Sequence, residues 1–278
     1  MILNHFRLLV LPLLLLSGGV DAEALGPSRV VSINLCTDQL LLMLADPTQV
    51  ASVSYLARDP ESSFVAGQAL TYPVNHGRLE ELISLRPDLV LVGAYSDPRL
   101  LRQLKRFGMR VERFPLTSSI DGVKTDIRRM AELLGRPQQG RALIEMMEAK
   151  IDLIEMDVER DVQPKALFYQ PRGYTSGKHT LQDEALRIAG WRNVAAEHGI
   201  DGYAHIDLEA LLLARPEQLF TSSHTSSAQS RAQQQLHHPA LGRLLKNRPM
   251  REIPFKYWIC AGPMIADAIG DLHAAHEQ

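Results

Sequence analysis

The sequence has little of what would assign it directly to a function class. Its 278 residues include two cysteines, 6% aromatic residues and a formal charge of −2. Because acidic and basic residues are interspersed, nothing suggests nucleic acid as a partner. Gly-x-Ser-x-Gly, a phosphate-binding loop and His-Glu-x-x-His are all absent, and no pair of carboxylates stands out. We therefore expect no catalytic residues, no enzyme and no cofactor.

Long apolar runs are also scarce, apart from one at the N-terminus. Arg7 precedes an apolar run over residues 8–16, which small residues follow up to Ala22. This run is too short to cross a bilayer and is typical of a secretory signal peptide. The sequence predicts a signal peptide at 1–22, with cleavage after Ala22 or Ala24, and a periplasmic protein with no stable membrane insertion. Cys36 lies beyond the cleavage point and in the wrong context for lipidation.

A segment of the first half recurs in the second half. Residues 79–88 and 208–217 both begin with Leu-Glu and end with Arg-Pro followed by an acidic residue. Each copy then enters an apolar or β-prone stretch. This pattern predicts a short helix, ended by proline, that leads into a buried strand in each half.

Strand patterns alternate with helix patterns in both halves, which indicates α/β lobes with parallel, covered sheets. The predicted strands are 30–34, 50–54, 89–93, 110–114, 166–170, 218–221 and one near 251–254. The predicted helices are 38–45, 79–85, 98–107, 121–134, 181–189, 208–214 and one from 264 onward.

One long helix is predicted between the halves. Ile144, Met147, Ile151, Ile154 and Val158 follow helical spacing after the Gly-Arg-Pro that ends the preceding helix. The fold class we expect is therefore two Rossmann-like lobes with parallel sheets, at 23–135 and 163–278, joined by one inter-lobe helix at 136–162. Such a rod would let ligand binding close the lobes only slightly. The alternative is a solvent-exposed helix within one continuous domain.

The order of these features resembles a known family, the helical-backbone (class III) periplasmic binding proteins of importers for ferric siderophores, haem and cobalamin. The resemblance rests on Val30-Val31-Ser32-Ile33 before the first helix, the repeated Leu-Glu-x-x-x-x-x-Arg-Pro-Asp/Glu, the inter-lobe helix, and Thr175-Ser176-Gly177-Lys178 before the helix at 181. The order is most similar to that of the cobalamin-binding member. The resemblance implies an importer permease dimer as partner, a small-molecule metal chelate as ligand and a monomeric protein.

The resemblance also implies two docking residues. In such proteins an acidic residue at the start of each repeated helix pairs with arginines of the permease, and by position these are Glu80 and Glu209. Carboxylates at helix N-termini are compatible with the helix dipole. The alternative is that both merely cap their helices, and Glu81 is a second candidate for the role of Glu80.

The ligand is expected beyond the carboxyl ends of the parallel strands. The candidates there are mostly aromatic, cationic or imidazole side chains, which suit a bulky planar or metal-bearing ligand. They are Tyr55, Arg58, His76, Tyr95, Arg172, Tyr174, His224, Tyr257 and Trp258. No bare-metal site is expected, although His76 or His224 is a candidate axial ligand of a chelated metal.

Cys36 and Cys260 are included among the ligand-binding candidates, because both follow predicted strand ends. Three alternatives stay open. The cysteines could form the disulfide that is the default in the periplasm, contact a metal chelate as thiols, or be buried apolar side chains. We favour the disulfide least, because a bond across the cleft would tie the lobes together and obstruct ligand exchange.

The sequence therefore predicts a periplasmic substrate-binding protein of an ABC importer that captures a ferric siderophore, haem or cobalamin. The alternatives are a periplasmic sensor or accessory binding module, which the same fold would serve equally well, and an exported α/β hydrolase.

Overall fold

The computed structural model describes residues 26–158, 163–222, 236, 239–245 and 248–276. The predicted signal peptide and His224 lie outside these residues. The strands are β1 Val30–Ser32, β2 Val50–Ser54, β3 Val74–Asn75, β4 Leu89–Val92, β5 Val111–Arg113, β6 Lys165–Phe168, β7 Tyr174–Ser176, β8 Arg192–Asn193, β9 Tyr203–His205, β10 Gln218–Thr221 and β11 Arg251–Glu252. The helices are α1 Leu35–Leu44, α2 Ala66–Ala69, α3 Leu79–Leu85, α4 Pro98–Arg106, α5 Ile120–Leu133, α6 Pro137–Asp157, α7 Leu181–Ile188, α8 Val194–Glu197, α9 Leu208–Ala214, α10 Pro239–Leu245 and α11 Ile265–His273.

The first sheet has five parallel strands in the order β3-β2-β1-β4-β5. Side chains alternate between its faces, so Leu89 and Leu91 of β4 join one apolar cluster while Val90 and Val92 join another. Helices α1 and α5 supply the first cluster, whereas Leu82 of α3 and Leu104 of α4 belong to the second. Both faces of the sheet are therefore covered, as a parallel sheet requires.

The second sheet has four parallel strands in the order β11-β10-β6-β8. Ala166 and Phe168 of β6 face a cluster that includes residues of α7 and α11, while Leu167 faces Leu211 of α9. A separate antiparallel ribbon pairs β7 with β9. The prediction of two α/β lobes with parallel sheets is confirmed, and the ribbon is an addition to it.

The repeated motif forms the same structure twice. Arg86 and Arg215 end α3 and α9 in the left-handed conformation, with φ of 48° and 50°. Each arginine is followed by proline and then by β4 or β10, as the pattern predicts.

The acidic residue that ends each copy of the motif accepts hydrogen bonds from the backbone in both halves. The Asp88 carboxylate accepts hydrogen bonds from the backbone N–H groups of Ser28 and Arg29, at 2.7 and 3.0 Å, just before β1. Glu217 accepts from the backbone N–H of Lys165, at 3.2 Å, where β6 begins. In both halves this carboxylate therefore anchors the start of the adjacent strand.

Helix α6 is the predicted rod. It has 21 residues, which corresponds to about 30 Å at 1.5 Å per residue. Ile144, Met147 and Ile151 are buried and belong to one apolar cluster with Val30 of the first sheet and Phe168 of the second. The helix thus shares its buried face with both sheets.

The Thr-Ser-Gly-Lys segment supports the start of α7. Thr175 donates from its hydroxyl to the carbonyl of Phe168 at 2.6 Å. A Cβ on Gly177 would lie 2.1 Å from the carbonyl oxygen of Ile200, so only glycine fits there. Thr180 then caps α7 by accepting from the N–H of Asp183 at 3.2 Å. Among the helices that the structure describes, none has both the length and the apolar character needed to cross a bilayer.

Candidate functional site

Two predicted site residues meet at the carboxyl edge of the first sheet. Tyr55 follows β2 and His76 follows β3, and these strands are parallel neighbours. Their rings stack with centroids 5.1 Å apart and an interplanar angle of 22°, and both side chains are exposed. The strand-end reasoning therefore brought together two residues that are distant in sequence.

His76 is oriented by Glu81, a residue of α3. The Nδ1 atom of His76 lies 3.3 Å from Oε1 of Glu81, while Oε2 accepts from the backbone N–H of His76 at 2.8 Å. The N–H of Arg78 donates to the same oxygen at 3.3 Å. These hydrogen bonds, with that from the backbone of His76 the strongest, lower the pKa of the Glu81 carboxyl. With Nδ1 facing a carboxylate, Nε2 is the ring nitrogen available to a metal.

Tyr95 is free in solvent, whereas Arg58 is bonded to the backbone of its own half. Tyr95 follows β4 and is 86% exposed, so its ring is free to cover a ligand. Arg58 donates through Nη2 to the carbonyl of Tyr72 at 2.6 Å and through Nε to that of Ala69 at 3.4 Å. Part of the hydrogen-bonding capacity of Arg58 is therefore used to hold the chain between α2 and β3.

The β7–β9 ribbon carries an aromatic cluster in the second half. Tyr174 stacks on Tyr203, with centroids 6.2 Å apart and planes within 5°, and meets the edge of His205 at 5.0 Å. Tyr203 also donates from its hydroxyl to Gln182 at 2.9 Å. Sequence reasoning missed Tyr203 and His205. The alternation Tyr-Ala-His was the available signal, because residues two apart share one face of a strand.

Arg172 lies in the turn that leads into this ribbon. Its backbone is left-handed, with φ of 65°, and its side chain is exposed. The Nδ1 atom of His205 donates to the carbonyl of Arg172 at 3.2 Å. The turn and the imidazole are thus held together, and the guanidinium remains in solvent.

Tyr257 and Trp258 are half-buried and contact different halves of the molecule. Tyr257 packs at 5.9 Å against Phe64, which lies in the chain between β2 and β3. Trp258 meets Phe168, the last residue of β6, edge-on at 5.1 Å. The indole N–H is buried, and the described residues provide it with no hydrogen-bond partner. The role of Trp258 as a ligand contact stays a prediction.

Cys36 and Cys260 form a disulfide with Cα atoms 5.1 Å apart. The alternative that their thiols contact a metal chelate is wrong, because each sulfur is bonded to the other. The alternative of two separate buried thiols is wrong for the same reason. Cys260 is buried and Cys36 half-buried, whereas Tyr55 and Tyr95 remain exposed.

Within the part of the chain that is described, no three His, Cys, Asp or Glu side chains converge to hold a metal ion. The aromatic and imidazole groups at the carboxyl edge of the first sheet and on the β7–β9 ribbon suit a flat chelate better than a bare cation.

Comparison with known proteins decides the family. The family model described as "Periplasmic binding protein" matches residues 30–248. The chain belongs to the periplasmic binding protein family. The family resemblance inferred from the sequence is thereby confirmed.

Two curated proteins and one solved structure show what this binding protein is similar to. A vitamin B12-binding protein of Photorhabdus laumondii is 28% identical over 212 residues, which cover 74% of each chain. A cobalamin-binding protein of Halobacterium salinarum is 26% identical over 209 residues, which cover 73% of this chain and 55% of the relative. The chain thus spans about half the length of that relative. The periplasmic heme-binding protein RhuT from Roseiflexus sp. RS-1, in apo form, superposes with a TM-score of 0.72 at 25% identity, covering 90% of this chain and 98% of that one.

The two predicted docking glutamates of this binding protein are exposed. Other residues cap their helices. Glu81 bonds the backbone at the start of α3, and Asp207 accepts from the N–H of Ala210 at 2.7 Å at the start of α9. In the part of the chain that is described, the carboxylates of Glu80 and Glu209 have no hydrogen-bond or ion-pair partner, so the capping alternative is wrong for both. Glu81 is occupied by His76 and Arg78, which argues against it as a substitute for Glu80.

Proposed function

We propose that the protein captures a planar or bulky metal chelate in the periplasm and delivers it to the permease dimer of an ABC importer. In this proposal it is exported by the signal peptide at 1–22, acts as a monomer and is not an enzyme. The observation that carries the proposal is the pair of exposed aromatic and imidazole clusters, Tyr55 with His76 and Tyr174 with Tyr203 and His205. The first pair follows the carboxyl ends of β2 and β3 in the first half, and the second cluster lies on the β7–β9 ribbon in the second half.

The residue types favour a chelate over a sugar or a peptide. Stacked tyrosines offer large flat faces at a low cost in side-chain entropy. Arg172 adds an exposed cation that suits ligand carboxylates. The relatives named for cobalamin, vitamin B12 and heme support a tetrapyrrole with a central metal, which has both flat faces and carboxylate or amide edges.

His76 is the proposed axial contact to the chelated metal. The Glu81 carboxylate at Nδ1 fixes the ring and favours the tautomer with a free lone pair on Nε2. His205 is a second imidazole on the opposite half, but its Nδ1 is bonded to a backbone carbonyl rather than to a carboxylate. We therefore assign the metal contact to His76.

The predicted lobes 23–135 and 163–278 with the helix 136–162 form the frame of this proposal. Support comes from the two sheets, whose strands lie within residues 30–113 and 165–252. Glu80 and Glu209, one on each half, are the proposed contacts to arginines of the two permease subunits. Their exposure and the absence of partners in the described structure support this role, because an exposed carboxylate forms charge-assisted pairs at little desolvation cost.

Titration of the purified protein with haemin, cyanocobalamin and a ferric hydroxamate siderophore tests capture, read by visible absorbance and tryptophan fluorescence. We expect saturable binding of at least one probe. His76→Ala should shift the visible spectrum of the bound chelate, whereas the control His179→Ala, at an exposed histidine paired with Asp201, should not. Failure of all three probes, together with turnover of ester or glycosidic substrates, would favour the hydrolase.

Charge reversal tests docking separately. Glu80→Arg with Glu209→Arg should abolish uptake and leave binding of the chelate unchanged. The matched control reverses Glu197, an exposed acid that is paired with Arg192. Uptake that persists in the double variant would refute the docking assignment without affecting the capture proposal.

A further inference from the structure

The disulfide joins the two halves of the molecule, from the end of an inner strand of the first sheet to the chain that follows β11 of the second sheet. Cys36 lies in the first turn of α1, directly beyond the end of β1, which is the middle strand of the first sheet. Cys260 follows Trp258, whose ring packs on the last residue of β6, an inner strand of the second sheet. The bond closes a loop of chain with a sequence separation of 224 residues and so connects elements that only the fold brings together.

The other contacts between the halves are noncovalent and include the apolar cluster that α6 shares with both sheets. The N–H of Ile120, at the start of α5, donates to Glu184 of α7 at 2.8 Å. Lys150 of α6 pairs with Asp267 of α11 at 2.9 Å. The Lys150–Asp267 pair is exposed and rearranges at little cost in free energy, whereas the Ile120–Glu184 hydrogen bond is partly buried. The ring of Phe64 meets that of Tyr257 at an interplanar angle of 52°, which is also a noncovalent contact.

We propose that the Cys36–Cys260 disulfide is a covalent lock that sets the separation of the two halves at the cleft. Closure of a two-lobed protein requires a few hinge residues to change φ and ψ while contacts elsewhere slide. Here α6 ties the halves along one line, and the disulfide, with Cα atoms 5.1 Å apart, ties them along a second. The disulfide therefore blocks rotation of the halves about α6, and α6 blocks rotation of the halves about the disulfide.

For ligand binding, the inference rests on the proposed function. If the halves are held in the binding-competent arrangement, capture costs no closure. If the bond is reduced, that arrangement becomes one of several, and the apparent dissociation constant rises in inverse proportion to its population. The cleft of the oxidised protein is therefore preset, and its affinity depends on the redox state of one bond.

Reduction has a simple balance. A dithiol supplies two electrons and two protons, the S–S bond breaks, two S–H bonds form, and the dithiol closes into its own cyclic disulfide. The attacking thiolate must reach a sulfur. Cys260 is 3% exposed and Cys36 is half-buried, so the reaction is expected to proceed from the Cys36 side and slowly.

The test compares oxidised wild type, wild type reduced by a dithiol, and the variant Cys36→Ala/Cys260→Ala, with Cys36→Ser/Cys260→Ser as a second variant in case the first does not fold. Solution X-ray scattering should give a larger radius of gyration for the reduced and variant forms. Their affinity for haemin or cyanocobalamin should fall by at least about threefold, which corresponds to a competent population of about one third.

Phe64→Leu is the matched control, because it weakens a noncovalent contact between the halves and keeps the disulfide. Its scattering and affinity should stay close to those of the wild type. Coincident scattering curves for oxidised and disulfide-free protein would overturn the lock, and so would an unchanged affinity. If no probe binds the oxidised wild type, the proposed function fails, and scattering alone decides whether the lock exists.

Discussion

The buried carboxyl of Asp38 should make the stability of the protein depend on pH in an unusual direction. Asp38 is completely buried in the first turns of α1. Its Oδ1 accepts from the backbone N–H of Ser54 at 3.1 Å, and the Ser54 hydroxyl donates to Oδ2. Burial raises the pKa of this carboxyl from 3.8 to about 7, against the opposing effect of hydrogen bonds from Ser32 and Ser54.

The sign follows from proton linkage. In the folded protein the carboxyl keeps its proton up to about pH 7, whereas in the unfolded chain it ionises near 3.8. Between these values unfolding releases a proton, so the free energy of unfolding falls as the pH rises, by about 1.4 kcal/mol per unit. Over the whole interval the loss is on the order of 4 kcal/mol. Below and above the interval the contribution no longer changes.

Asp38→Asn isolates this effect, because asparagine is neutral at every pH and still offers an oxygen to the Ser54 N–H. Urea denaturation of both proteins at several values between about pH 4.5 and about pH 7.5 gives the difference in the free energy of unfolding. Wild type should lose about 3 to 4 kcal/mol relative to the variant across this range. Profiles that run parallel within about 0.5 kcal/mol would refute the reasoning.

Three further outcomes are expected. Asp207→Ala removes the hydrogen bond to the Ala210 N–H and should lower the free energy of unfolding by about 1 kcal/mol in urea denaturation. Gly177→Ala places a Cβ 2.1 Å from the Ile200 carbonyl oxygen and should lower the free energy of unfolding by roughly 1 to 3 kcal/mol or more in urea denaturation. Alanine at a glycine where no atom lies within 4 Å of the added Cβ should not lower it in this way. Trp258→Ala should weaken chelate binding by more than ~1 kcal/mol in a fluorescence-independent titration, and an unchanged affinity would remove this ring from the site.

Most of the fold could be predicted from the sequence, because its repeats and prolines mark where helices and strands end. Residues 50–54, 79–85, 208–214 and 218–221 were predicted with the bounds they have. Their apolar runs are bounded by Pro87 or Pro216 or by a change of period, so each boundary had a local physical cause.

The missed elements lack such signals. β3 has two residues and β7 and β9 three each, which is too short for a period of two to emerge from the surrounding sequence. These strands exist because neighbours hold them: β3 pairs with β2, and β7 pairs with β9. The ribbon brought Tyr203 beside Tyr174, a contact between residues 29 positions apart that no local pattern encodes.

The predicted docking glutamates illustrate two alternatives that the sequence does not separate, capping of the helix and binding of an external partner. A glutamate in the first turn of a helix is compatible with both capping and external binding. The hydrogen bonds of Glu81 and Asp207 bear on capping alone, because a backbone N–H that already has an acceptor does not need another. Glu80 and Glu209 are exposed, and their contact with a permease stays a prediction.

For the cysteines, the sequence contained the correct indication of a disulfide, but an argument against the bond was given more weight. The strand-end rule predicted that Cys36 and Cys260 approach the same cleft from opposite halves, and a periplasmic location favours their oxidation. The objection was that a bond across the cleft blocks exchange, which assumes that exchange needs the halves to separate. The halves share the apolar cluster around α6, and we expect exchange to proceed without their separation. On that expectation, a disulfide between the halves is compatible with ligand exchange.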